Sequence, residues 1–386
     1  MKHTIDELAE IIDGDRGKNY PKQNEFFDEG YCLFLNTGNV TTSGFSFDSN
    51  QYISKEKCDL LRKGKLQRRD IVYTTRGTVG NAAFYSEKVP YEHIRINSGM
   101  VILRPNEDVV CTEFLYQILK SDYYRPYFKQ YCTGSAQPQL PIKNFSKIEL
   151  EIPELSVQKK IAKILFTYDD LIENNQKQIK LLEEAAQRLY KEWFVDLCFP
   201  GHEEVTIVDG VPEGWKKELI GNLIGKVIRS KQVKTAEYLK EGAIPVVDQS
   251  RDFIAGYTND PETVVSIGYP VIVFGDHTRI LKYIQFPFAK GADGTQLIVS
   301  DNENMPQSLL YYSLIAVDLS NYHYARHFKY LKAESILVPS KEIAYEFDRC
   351  VVPMLLQIQQ LRNIADKAAE ARDRLLPKLM SGEIEV

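Results

Sequence analysis

At 386 residues, 44% hydrophobic and 26% charged, the chain has the composition of an ordinary folded protein, too apolar to be disordered and long enough for two or three domains. A formal net charge of −5 excludes the general basic excess of many nucleic-acid binders, so any such binding must come from local patches. No apolar run reaches the roughly 18 residues of a membrane span, and Met1 to Leu8 is mixed and acidic where a signal peptide turns apolar, so a cytoplasmic protein without a membrane partner is expected. The cysteines (Cys32, Cys58, Cys111, Cys132, Cys198, Cys350) are scattered without a C-x-x-C pair, which predicts reduced thiols, no disulfide framework and no metal site.

In chain order, residues 1–152 read as a globule. The pattern predicts a short helix from Ile5 to Ile12 and loops at Gly14, Gly17 and Pro21. Brief apolar or β-branched runs predict strands at Cys32–Leu35, Ile71–Thr74, Ala82–Tyr85 and Met100–Leu103. A helix over Thr112–Lys120, a glutamine-and-proline loop at Gly134–Gln139 and a strand at Ile148–Ile152 complete the unit. A long helix is expected over 153–198 and a linker over 199–210. A second globule, 211–338, opens on an amphipathic stretch (Leu219, Leu223, Val227), continues with strands at Ile244–Val247, Val271–Phe274 and Leu297–Val299 and a helix near Ser308–Val317, and closes on Ile336–Val338. The second long helix is expected over 339–386.

The long helices carry the chain's repeat. Ile161, Leu165, Tyr168, Ile172, Asn175, Ile179, Leu182, Ala186, Leu189 and Trp193 alternate at spacings of four and three, the signature of a coiled-coil seam. The same positions 186 residues later are Phe347, Val351, Met354, Ile358, Leu361, Ala365, Ala368, Arg372, Leu375 and Leu379, apolar at nine of ten places. A proline stands at the start of each helix, Pro153 and Pro339. Each helix could pack on its own globule, but the matched seams favour pairing with each other. In that pairing Asn175 is the buried polar residue that would fix register. A seam of this length makes a rod of about 48 Å. Pro353 falls within the second seam and is expected to kink or interrupt that helix.

The order globule, helix, globule, helix, with helices more alike than globules, resembles the specificity subunit of type I restriction-modification enzymes. The resemblance covers the whole chain and also rests on Val211-Pro212-Glu213-Gly214-Trp215, Arg76-Gly77-Thr78-Val79-Gly80, Lys329-Tyr330-Leu331 before Ile336-Leu337-Val338-Pro339, and the terminal Leu375-Leu376-Pro377-Lys378-Leu379-Met380-Ser381-Gly382-Glu383-Ile384. It implies an α+β protein: two target-recognition domains of mixed α/β structure, separated by two long helices that form an antiparallel coiled coil, in pseudo-twofold tandem order. It also implies double-stranded DNA, two modification (methyltransferase) subunits and restriction (motor-nuclease) subunits as partners. No cofactor of its own is expected; S-adenosylmethionine and ATP would sit on the partners. Neither an N-P-P-Y-type motif nor a glycine-rich cofactor loop is present, and Gly221–Val227 is one residue short of a phosphate loop and lacks its Ser or Thr, so no catalysis is expected.

Base reading calls for forked donors, amides and small hydroxyls. Thr75, Arg76, Gly77 and Thr78 offer these just past a strand end, with a surface salt bridge as the other reading of Arg76. Ser135, Gln137 and Gln139 lie on a proline-stiffened loop. Arg62, Lys63, Lys65, Arg68 and Arg69 make a basic run suited to phosphate contacts or simply to a solvated face. In the second globule His277, Thr278 and Arg279 follow the equivalent strand. Tyr322, His323, Tyr324, Arg326, His327 and Lys329 interleave aromatic and basic groups, suiting DNA contact or domain packing; Arg326, His327 and Lys329 are the DNA candidates among them. Unlike loops predict unlike half-sites, hence an asymmetric bipartite target with half-sites about 14 base pairs apart. The alternative is a non-catalytic coiled-coil adaptor whose globules bind other proteins.

Overall fold

The structure, a computed structural model, describes residues 1–134, 137–227, 230–265, 268, 270–322 and 326–386; Ser135, His323 and Tyr324 lie outside the described residues. The chain divides into two compact units, residues 1–173 with 365–386, and residues 174–364. Each long helix therefore contributes one end to each unit. No helix among the described residues is long and apolar enough to cross a membrane.

In the first unit an antiparallel sheet runs in the order Ala9–Asp13, Met100–Pro105, Ile71–Thr74, Ala82–Phe84. Alternate side chains go to different cores. Ile71, Tyr73, Val101 and Leu103 face the core that includes Phe114, Leu115 and Ile118 of the helix Thr112–Lys120. Val72, Met100 and Ile102 join Leu33, Leu35 and Ile94 of a second sheet. A sheet covered on both faces has no solvent side, which is why its strands read as continuous apolar runs. That second sheet places Cys32–Leu35 between Tyr52–Ile53 and the parallel strand Ile94–Ile96. Lys2–Thr4 pairs with Glu149–Glu151 and closes the unit.

The second unit repeats this plan. Lys216–Leu219 pairs with Ser335–Val338. Ile244–Val247 lies between Gly256–Thr258 and the parallel Ala289–Lys290. Val271–Gly275 lies between Leu281–Ile284 and Thr295–Ile298, its Ile272 and Phe274 facing one core and its Val271 and Val273 another. The globules thus share a topology that their sequences repeat far more weakly than the helices do.

Three expectations are corrected. The helix predicted over Ile5–Ile12 is a single turn, Ile5–Leu8, started by Thr4, whose N–H donates to the Glu7 carboxylate at 3.1 Å. The chain then extends, because Ala9–Asp13 pairs with Met100–Pro105 and tertiary pairing overrides a marginal helical period. The second globule does the same: the amphipathic stretch resolves into the strand Lys216–Leu219 and the turn Ile220–Leu223, with Val227 outside both. Third, Pro353 does not interrupt its helix, which runs unbroken from Lys341 to Ser381. Proline removes one donor, leaving the Arg349 carbonyl unpaired, but Pro353 and Arg349 are both exposed, so water can take that acceptor.

The first long helix spans Leu155–Tyr190 and ends in a π-helical turn, Lys191–Val195. The widened turn brings two consecutive rings inward. Trp193 and Phe194 are both buried against Phe347, with centroids at 6.0 and 5.1 Å. All twenty seam residues are buried or half-buried. In the first unit the helices run antiparallel, Lys160 reaching the Val386 carbonyl and Asp169 pairing with Arg372 at 2.8 Å. In the second, Glu183 pairs with Arg362 at 2.7 Å and Trp193 meets Phe347, again antiparallel. Asn175 is buried, and its side-chain nitrogen has no partner among the described residues.

Candidate nucleic-acid interface

The strand Ile71–Thr74 delivers the chain into a loop held by backbone bonds. Thr75 and Arg76 both donate their N–H groups to the Gly99 carbonyl, at 2.9 and 3.1 Å, and Thr75 accepts from Leu140 N–H at 2.9 Å. Arg76 thereby forms an isolated antiparallel bridge with Gln139. Two candidates 63 residues apart in sequence become neighbours, both exposed. They line a recess of about 280 Å3 together with Thr75, Asp13 and Arg16. Arg16 holds the Asp13 carboxylate and the Ser98 carbonyl, each at 3.2 Å. The recess therefore presents two guanidinium groups and one amide, the forked donors that suit guanine and the two-way amide that suits adenine. Gly77, with φ +71°, turns the loop, and Thr78 is exposed beside it. Gln137 is exposed on the neighbouring loop.

The basic run divides. Arg62, Lys63 and Lys65 are exposed. Their loop is held from within by Arg95, almost fully buried, which donates to the carbonyls of Lys63 at 2.7 Å and Leu61 at 2.9 Å. Asp15 anchors the same loop by accepting from the N–H groups of Arg62 at 2.8 Å and Gly17 at 2.7 Å, bonds that keep its carboxyl below the usual range. Arg68 instead donates to the carbonyls of Ser86 and Val89 and lies 4.2 Å from the Tyr85 ring centre. Arg69, at φ +73°, pairs with Glu107 and, through two nitrogens, with Glu113. Those two arginines serve the fold, and a charge run in sequence cannot say which members turn inward.

In the second unit the loop after Val271–Gly275 occupies the same topological place. Asp276 N–H donates to the Gly294 carbonyl at 2.7 Å, as Thr75 does to Gly99. His277 N–H donates to the Gln249 side chain at 3.1 Å, and the Thr278 hydroxyl to the Gln249 carbonyl at 2.7 Å. Gln249 in turn donates to the Asp293 carbonyl at 2.8 Å. His277, Thr278 and Arg279 are exposed, Arg279 with φ +62°. Phe328 N–H donates to the Asp276 carboxylate at 2.8 Å, seating the helix His327–Ala333 on this loop with exposed Arg326 and Lys329 beside it. His327 is buried, its ring nitrogens against the carbonyls of Asp276 and Tyr322 at 2.8 and 2.9 Å, so it packs the domain and does not face a ligand. Tyr322 stacks on Tyr330.

Sequence reasoning missed Arg16, Arg95 and Gln249. For Arg16 a signal existed: Gly14 precedes it by two residues, and a Cβ there would lie 2.4 Å from the Asn97 carbonyl oxygen, so only glycine permits the close approach.

Residues 1–184 match the family described as the type I restriction modification DNA specificity domain. The type I restriction enzyme MjaIX specificity subunit of Methanocaldococcus jannaschii is 26% identical over 341 residues, 82% of this chain and 78% of that one. The HindI specificity subunit of Haemophilus influenzae is 24% identical over 460 residues, 96% and 98% of the two chains. The match to the type I DNA specificity domain is therefore direct over the first 184 residues, and relatives named as type I specificity subunits align along most of the chain. The crystal structure of a type I restriction-modification S subunit from M. genitalium shares the fold, with a TM-score of 0.61 at 17% identity over 98% of this chain and 96% of that one. The α+β architecture of two globules and a repeated pair of long helices is thus one this chain shares with that S subunit. The loops after Thr74 and Gly275 stand at corresponding points of the two globules.

Proposed function

We propose that this chain is the DNA-specificity subunit of a type I restriction-modification assembly, reading an asymmetric bipartite site and performing no catalysis itself. The observation that carries the reading is the repeated placement of polar loops. Thr75–Thr78 with Gln139, and His277–Arg279 with Gln249, follow equivalent strands of two globules whose side chains differ. Equivalent positions with unlike side chains read unlike half-sites. The recognition domains are residues 1–152 and 211–338, carried on the helices 153–198 and 339–386 with 199–210 as linker. Arg62, Lys63 and Lys65 supply phosphate contacts.

The chain works with methyltransferase and restriction subunits, and we assign two copies of the former to the repeated helical frame. Exposed Leu181, Leu356 and Ile364 give that frame apolar surface beyond its own seam. S-adenosylmethionine and ATP belong to the partners, and the assembly acts in the cytoplasm. The test is genome-wide adenine methylation in cells expressing the chain with its modification subunit, against cells with the modification subunit alone. A split, asymmetric motif that depends on this chain is expected. A stable complex that adds no motif would overturn the reading in favour of a protein adaptor.

A further inference from the structure

The helix Gln307–Ile315 stands 195 residues after Thr112–Lys120, as Gly294 stands after Gly99, and each helix packs on the long-helix ends of its own unit. The two junctions are built differently. In the first unit the seam residue Arg372 and Lys120 close on Asp169 at 2.8 and 2.7 Å, and Gln117 donates to the same carboxylate. This cluster leaves a void of only about 20 Å3. In the second unit the corresponding positions are Ala186 for Arg372, Ile315 for Lys120 and Leu355 for Asp169. With the ionic filling gone, the junction holds a cavity of about 500 Å3, within the size range of small-molecule sites.

Its charge is unbalanced. Arg251, Arg279 and Arg362, with Lys282 whose ammonium donates to the Asp248 and Asp252 carbonyls, line it against a single carboxylate, Glu183. Arg362 is held by Glu183 at 2.7 Å and lies 4.1 Å from the Phe253 ring centre. Arg279 donates one N–H to the Leu319 carbonyl at 3.1 Å from a left-handed backbone that non-glycine residues seldom adopt. Arg251 has no hydrogen bond or ion pair among the described residues. Burial raises the Glu183 carboxyl even with Arg362 beside it. Tyr283 and Tyr311 add flat apolar surface. Guanidinium groups in excess favour a phosphate, and ring walls favour a planar group attached to it.

We infer that the cavity between Arg251, Arg279 and Arg362 binds a nucleoside phosphate, free or as part of a nucleic-acid strand. The site belongs to the second unit alone, and it stands whether or not the loops read DNA bases.

The test is calorimetric titration of the full chain, in complex with its modification subunit, using AMP, adenosine and a short duplex of unrelated sequence. AMP should bind at one site per chain at least tenfold more tightly than adenosine. Arg251→Glu, at an exposed position where folding is not at stake, should weaken AMP at least tenfold, and Arg251→Lys should retain most of the affinity. Displacement of AMP by the duplex would assign the phosphate to nucleic acid; its failure to displace would assign a free nucleotide, and both uphold the site. Equal binding of AMP and adenosine, no AMP binding at millimolar concentration, or affinity untouched by Arg251→Glu would overturn it. Each readout is independent of methylation, so loss of this site would leave the specificity role standing.

Discussion

Arg76 and Arg68 are eight residues apart, and their surroundings predict opposite consequences of removing them. Arg76 is exposed on a loop whose backbone is held by Gly99 and Gln139, so truncating its side chain breaks no hydrogen bond or ion pair among the described residues. Arg76→Ala is expected to leave the melting temperature unchanged while costing about 1–3 kcal/mol of discrimination at one base pair, measured by competition between cognate and singly substituted duplexes. Arg68→Ala removes donors from the Ser86 and Val89 carbonyls and uncovers Tyr85. It is expected to lower stability by about 1–3 kcal/mol and to leave base preference alone. A reversed outcome, with Arg76→Ala unfolding and Arg68→Ala altering preference, would show the recess to be misplaced. The types of these residues were legible in the sequence, and their partners were not. Nothing in the spacing says that residue 76 meets 139, that Arg16 joins them, or that Arg95 holds the loop bearing Lys63, because those pairings are made by the sheets.

At the scale of elements, what was legible depended on burial. The strands Ile71–Thr74 and Val271–Gly275 showed themselves as apolar runs because both their faces are covered. Two-residue strands such as Tyr52–Ile53 carry too little period to be seen. The helical frame was the most legible part, and it yields two predictions. Asp169 joins the helix Thr112–Lys120 to both long helices in the first unit. Burial alone would raise its carboxyl, but Lys120 and Arg372 hold it below the ordinary value of 3.8. With a folded value below the unfolded one, its contribution is present above the ordinary value and lost as pH falls through the folded value. Asp169→Ala at neutral pH removes the ion-pair partner of Lys120 and leaves Arg372 with Asp373 alone, and is expected to cost roughly 3–5 kcal/mol. The gap in melting temperature between variant and parent should narrow steadily below about pH 4; a gap that is flat with pH would mean the carboxylate charge contributes nothing. The second prediction concerns Pro353, which sits exposed inside an unbroken helix. Pro353→Ala restores a donor to the Arg349 carbonyl and should stabilise the chain, by at most about 3 kcal/mol. Chemical denaturation measures this, and a loss of stability would show that the helix depends on the proline's geometry.

Across the whole molecule, the frame is shared and the candidate reading sites are private. Each globule closes its own cores, and each candidate site draws its residues from one globule: Arg16, Thr75, Arg76 and Gln139 in the first, Gln249, His277 and Thr278 in the second. What a globule shares with the frame is narrower. In the second unit Leu309, Tyr312 and Leu314 of the helix Gln307–Ile315 lie in one core with Ala186, Phe347 and Leu355 of the long helices. A foreign globule must therefore present apolar residues at those seats, and its loops are otherwise free. Residues 211–338 replaced by the corresponding segment of a family member of different specificity, chosen to keep those seats apolar, should change one half of the methylated motif. The other half should stay as it was, since no residue of its recess has been touched. Methylome sequencing of cells carrying the exchanged chain with the modification subunit reads both halves at once. If both halves changed together, base reading would have to be a property of the globules jointly, and the two private loop sites would not be the reading elements.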